Sequence, residues 1–194
     1  MPSYNFTLGT WVNNAAVGTF SSHLWTNPGN AQLIDGAYAV YISAIAGQTQ
    51  SIYLEGTGPN SIPSWAANEV LTSITVNIDR FSNGPSENLN TDALLYLVVG
   101  GTILTAINRA DTSTVYPTTL TSAAHTFTSS DLSTLGVTKS SITSSFGIAL
   151  SCYLGGQAAN GISIDQIAGS FNTSFVNAVP PAVSYIPSIG MRSL

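Results

Sequence analysis

The chain has 194 residues, enough for one domain with a real hydrophobic core and no need of a disulfide or metal staple. Hydrophobic residues make up 44% and charged residues only 7%, so the chain is not disordered, and its surface must be carried by 63 Ser, Thr and Asn side chains. Four Lys+Arg against nine Asp+Glu give a net charge of −5, which excludes the clustered cations that nucleic-acid backbones and anionic membranes require.

Met1-Pro2-Ser3-Tyr4-Asn5 lacks the basic and apolar blocks of a signal peptide, and no run reaches the ~20 apolar residues of a membrane span. A soluble protein made in the cytoplasm is expected. Asn5-Phe6-Thr7 and Asn172-Thr173-Ser174 are sequons that mean little without secretion. The stretch 1–24 reads as an N-terminal segment ahead of the main domain.

In chain order, Ala37 to Ser43 and Gln50 to Leu54 read as strands, separated from their neighbours by Asn27-Pro28-Gly29-Asn30 and Gly56-Thr57-Gly58-Pro59-Asn60 turns. Ile74-Thr75-Val76-Asn77-Ile78-Asp79 alternates with period two, which puts three β-branched side chains on one face. Ala93 to Val99 is a fuller apolar strand. It meets Gly100-Gly101 and a second strand from Thr102 to Ile107, the pattern of a tight hairpin. Ser129-Ser130-Asp131-Leu132 and Thr138 to Ile142 offer one helical turn each. Phe146 to Leu154 and Ile162 to Phe171 complete the strands. Short strands, regular turns and almost no helix predict an all-β, two-sheet antiparallel sandwich of jelly-roll type over 25–176. Leu95, Leu97, Ile74, Val76, Ile78, Ile148 and Leu150 are its expected interior.

From residue 177 the alternation stops. Pro180, Pro181 and Pro187 cannot donate to a sheet ladder, so 177–194 reads as an extended arm. Its Val179, Val183, Tyr185, Ile186 and Ile189 are apolar enough to pack on their own domain or on a neighbouring subunit, and they are the candidate interface residues.

No catalytic constellation is legible. His23 and His125 lack a Gly-x-Ser-x-Gly partner motif, and His125 in Ala124-His125-Thr126-Phe127 reads as solvent-facing. Nine acids (Asp35, Glu55, Glu69, Asp79, Glu87, Asp92, Asp111, Asp131, Asp165) are spread singly: sequence brings no glycosidase pair together, and a calcium site built from a few such carboxylates with backbone carbonyls has no EF-hand or other spacing behind it. Lys139 follows no phosphate-cradling glycine loop, and the lone Cys152 reads as a buried thiol in a strand. Trp11, Trp25 and Trp65 serve either a sugar-stacking platform or the closure of the barrel ends. No catalytic residue, cofactor site or metal site is assigned.

The order of short motifs is more telling than any one of them. Trp25 to Ala31, Asp35-Gly36-Ala37-Tyr38-Ala39, Tyr53-Leu54, Ile62-Pro63 and Ile74 to Arg80 come first. Val98-Val99-Gly100-Gly101, Asn108-Arg109-Ala110-Asp111, Tyr116-Pro117, Phe146-Gly147-Ile148 and Ile164-Asp165 follow. This series resembles a β-sandwich domain of tailed-phage and prophage structural proteins, with departures at Val115 and Leu135-Gly136. The resemblance implies a virion surface protein, a capsid decoration (cement) or head-fibre subunit. Its partners would be the major capsid or tail proteins and further copies of itself, a trimer being a natural form. A tail or fibre component binding host glycans is the alternative, and a glycan hydrolase comes third. In the motif residues, Gly36 and Gly101 suit positive φ, and Asp35 and Asp165 would tie loops to strands.

Overall fold

A computed structural model describes residues 1–15, 24–43, 49–83, 90–155 and 160–176. The candidate arm residues Val179, Val183, Tyr185, Ile186 and Ile189, together with His23 and Glu87, lie outside them. The strands are β1 (Ser3–Asn14), β2 (Ala39–Ser43), β3 (Thr49–Gln50), β4 (Tyr53–Pro59), β5 (Glu69–Ser82), β6 (Thr91–Val99), β7 (Thr102–Leu104), β8 (Thr121–Phe127), β9 (Gly147–Leu154) and β10 (Asn160–Phe175). The helical pieces are 3-10 turns at Pro28–Gln32 and Lys139–Ser141 and one short helix, α1 (Ser129–Leu135).

The all-β expectation holds, and every strand pairing is antiparallel. The architecture is a curled half-barrel rather than two separate sheets, because one strand belongs to both layers. The strand order is β7-β6-β9-β4-β1-β10-β5-β8, with β2 added to β10 and β3 to β9. The first half of β1 pairs with β10, from Ser3 opposite Asn172 to Thr7 opposite Ala168. Its second half pairs with β4, from Leu8 opposite Pro59 to Asn14 opposite Tyr53. The side chains show the switch: Phe6 and Leu8 point inward with period two, and the next buried residue is Trp11. The segment 1–24 is therefore no appendage to a domain starting at 25. It contributes the strand that joins the layers.

All seven expected interior residues are fully buried. Between the layers, the Phe6 ring stacks on Phe171 at 4.4 Å and meets Phe146 edge-on at 5.8 Å. Burying an aromatic or branched side chain of this kind contributes roughly 1.5–3 kcal/mol, so this face stabilises the fold. Trp25 also closes the core, with its Nε1 donating to the Ile52 carbonyl at 3.0 Å. Trp11 and Trp25 are buried and Trp65 packs against Tyr4 and Phe171, so a tryptophan sugar platform is not built.

The Gly100-Gly101 hairpin forms with φ of 59° and 78°, the left-handed values that a primed two-residue turn needs. Residues 56–59 are strand rather than turn. Trp11 explains Gly56 there, since a Cβ at that position would lie 2.5 Å from the indole. The Ser129 turn becomes α1, capped by Thr128 and Asp131 in a reciprocal capping box.

Candidate functional site

Arg80 continues the inward series Ile74, Val76 and Ile78 on β5, so its guanidinium enters the space between the layers. There it meets Asp92 of β6, and the two form a buried ion pair. Tyr116, from the loop before β8, donates its hydroxyl to the other oxygen of Asp92. Its ring lies beneath the Arg80 guanidinium, 4.3 Å from ring centre to Cζ. Cys152 of β9 brings its sulfur to 3.2 Å from the same hydroxyl. Burial pushes the Tyr116 hydroxyl and the Cys152 thiol well above their usual ranges, and the Asp92 carboxylate pushes both the same way. The thiol is therefore held protonated and unreactive, which suits the reading of Cys152 as a buried structural residue.

His125 is not solvent-facing. It shares the inward face of β8 with Phe127 and is buried. Its Nδ1 donates to the Arg109 carbonyl at 2.9 Å, since a carbonyl can only accept. The other ring nitrogen stands 3.3 Å from Asp92 and 3.4 Å from Arg80. Sequence spacing could have found both residues. Arg80 keeps the parity of Ile78, and His125 keeps that of Phe127. The partner Asp92 could not be found that way, because 12 residues and a layer crossing separate it from Arg80.

This cluster backs a surface hollow. Thr91, Val115 and Tyr153, the chain neighbours of Asp92, Tyr116 and Cys152, line a cavity of about 390 Å³ together with Thr112, Ser113, Leu154 and Gly155. Thr91 and Tyr153 are paired across β6 and β9, as are Asp92 and Cys152 one step along. Alternation along the strands sends Asp92 and Cys152 inward and Thr91 and Tyr153 outward. Tyr153 is 39% exposed, while Leu154 is buried.

The loop forming the far wall is fixed before any ligand arrives. Asp111 accepts from the amides of Ser113 and Thr114 and from the Ser113 hydroxyl. Hydrogen bonds from Thr114 and Ser113 hold its carboxyl well below the usual carboxylate range. The Asp111 amide donates to Asp92 at 3.3 Å, and the Tyr116 amide donates to the Asn90 carbonyl at 2.8 Å. Upstream, Asn108 bridges the Leu95 amide and the Ala93 carbonyl, and Arg109 grips Asp131 at the start of α1.

The remaining acids do not converge. Among the described residues no three His, Cys, Asp or Glu side chains gather as metal ligands. Asp35 ties its turn through the Ala37 amide at 2.9 Å, as the sequence suggests. Asp165 ties nothing: its Oδ1 is buried without a hydrogen-bond partner.

The half-barrel, with a hydroxyl-lined hollow over a buried charge cluster, defines an all-β domain with a small cavity. No family model matches the chain, and no curated protein matches it. Among solved structures it is similar to a cyclase from Fischerella sp. TAU, crystallised with 4-(1H-indol-3-yl)butan-2-one. The likeness has 16% identity over 90% of this chain and 91% of that one, with a TM-score of 0.45. The expectation of a phage virion structural protein is not kept: no family model and no curated protein connects the chain to virion proteins.

Proposed function

We propose that the protein is a binding domain rather than an enzyme, and that it takes a small uncharged ligand into the hollow between β6, β9 and the 111–115 loop. The single observation that carries this reading is the lining of that hollow. The hydroxyl-bearing residues Thr91, Thr112 and Ser113 share the lining of this cavity of about 390 Å³ with Val115 and the exposed Tyr153. Such a wall suits a molecule that joins a hydroxyl or carbonyl to an apolar or aromatic face. None of these lining residues carries a charge at neutral pH, so a charged ligand would lose its hydration without gaining an ion pair.

Binding is favoured over catalysis because the groups able to move protons sit behind the strands. Asp92, His125, Tyr116 and Cys152 are buried and face one another. A pinned loop lowers the ordering cost of binding, which is how a shallow site gains affinity.

The test is amide-resolved NMR titration with a panel of neutral aromatic alcohols and ketones. Shifts should cluster at Thr91, 112–115 and 153–155, the Tyr153→Ala variant should lose them without losing its fold, and the probe should be recovered unchanged. Shifts that fall elsewhere, that survive Tyr153→Ala, or that accompany conversion of the probe would overturn the reading.

A further inference from the structure

Where β1 leaves β10 for β4, the sheet forks. Thr7 opposite Ala168 is the last β1 pair on that edge of β10, and β2 takes the edge over at Ala39 opposite Ile164. Residues 165–167 of β10 therefore face the fork without a strand beside them. The 3-10 turn Pro28–Gln32 packs there, and Gln166 Nε2 donates to the Gln32 carbonyl at 3.1 Å. On the opposite edge, β10 shifts register against β5 between Ile164 and Gln166, which leaves Asp165 as the extra residue of a bulge.

Asp165 is 1% exposed, and its Oδ1 has no hydrogen-bond partner. Native proteins rarely leave a carboxylate in that condition, because a buried charge without a partner costs several kcal/mol. The described cations are committed elsewhere. Arg80 pairs with Asp92, Arg109 with Asp131, and Lys139 caps the carbonyls of Ala66 and Ala67. The fork thus presents a buried carboxyl oxygen without a partner, beside an edge of β10 released from strand pairing, with no cation among the described residues paired to it.

We propose that the fork is a cation site in which Asp165 supplies the charged ligand, and that the occupant is a hard divalent ion of calcium size. Calcium accepts one carboxylate supplemented by backbone carbonyls and water in flexible geometry, whereas magnesium demands a near-ideal octahedron. Zinc is excluded by its need for several His, Cys or carboxylate ligands, and no such group of three exists among the described residues. Asp165 is the extra residue of a bulge, and bulges are places where a strand re-aims a side chain relative to the ladder. The site is separate from the hollow and does not depend on how the hollow is used.

The experiment uses the full chain, stripped with chelator and then titrated with calcium chloride, with magnesium chloride as control. Thermal melting should rise with calcium in a saturable way below about 10 mM, since weak extracellular-type sites bind at 0.1–1 mM or so. Equilibrium dialysis should find one calcium per chain. Asp165→Asn should abolish both signals and melt at or above the stripped wild type, because it removes an uncompensated charge. Asp165→Glu should keep one calcium per chain with a weaker affinity, and it carries the test if the Asn variant does not fold. Asp79→Asn should change nothing. No bound calcium at about 10 mM, a response unchanged in both Asp165 variants, or equal response to magnesium would overturn the proposal.

Discussion

Asp92 and Asp165 are both buried carboxylates in the same half-barrel, yet their surroundings are opposite. Asp92 accepts from Arg80, from the Tyr116 hydroxyl and from the Asp111 amide, with His125 standing by. Asp165 has a buried oxygen with no partner. The difference lies in position. Asp92 sits in the closed part of the core, where Arg80 of β5, His125 of β8 and the loop carrying Asp111 and Tyr116 all reach it. Asp165 sits at the fork, where one edge of β10 has no partner strand and the pairing with β5 on the other edge skips it as a bulge. A buried carboxylate that is fully partnered holds the protein together, and one that is not asks for something from outside.

The sharpest way to break this contrast is to turn Asp92 into a second Asp165. Arg80→Met leaves its charge buried with one strong partner gone, and should cost about 3–5 kcal/mol in urea unfolding. Adding Asp92→Leu should recover most of that loss, because a matched apolar pair does not leave a lone charge. A double variant no more stable than Arg80→Met would mean that the cluster is worth more than its ion pair.

Tyr116→Phe is a smaller cut. It removes one donor from Asp92 while the Arg80 pair stays, and should cost roughly 1.5–3 kcal/mol, the usual worth of a hydrogen bond to a charged group. Because Tyr116 also anchors the 111–115 loop, the same variant should weaken ligand retention in the hollow more than it changes the fold. An unchanged unfolding midpoint would show that Arg80 alone satisfies Asp92.

The gentlest probe is pH, and it separates partnered acids from the rest. Glu69, Asp111 and Asp131 are all held below their ordinary values. The Thr173 hydroxyl leads for Glu69, as the Thr114 and Ser113 hydroxyls do for Asp111; for Asp131, burial pulls upward but Arg109 and Thr128 outweigh it. In such groups the folded state binds fewer protons than the unfolded one, so their stabilisation is complete above about pH 5 and fades as pH falls through about 4. At the other end, Tyr53 is pushed up to about 12 by burial and Tyr96, and Cys152 is also raised by burial. Their unfolded forms ionise first, so stability should decline above roughly pH 8.5–10. Melting curves from pH 2 to 11 should therefore form a plateau with two falling limbs. A midpoint constant down to pH 2 would mean that these acids are not held by their partners.

Much of the fold could be read from local pattern. Period two placed Ile74, Val76 and Ile78 on one face, and Gly100-Gly101 marked its turn, because both signals depend on residues a few positions apart. The first strand was harder. Its inward series shifts parity between Leu8 and Trp11 as it changes partners, so no single period runs through it. Strand β8 was obscured likewise, since Ser122, Ala124 and Thr126 on its outer face and His125 on its inner face carry no hydrophobic alternation. The candidate site was less legible still. Arg80 and His125 sat at inward parity, but their meaning depended on Asp92.

By itself, then, the sequence determined the class: an antiparallel β protein with a small-residue, nearly uncharged surface and an apolar interior. Composition and short-range periodicity suffice for that, because burial of apolar area dominates folding and alternation dictates which residues can be buried. Tertiary structure alone decided that one strand would serve both layers, that Arg80 would find Asp92, and that Asp165 would find nothing. Those outcomes depend on which distant strands lie side by side, and charge satisfaction inside a core is a property of that arrangement rather than of any segment of the chain.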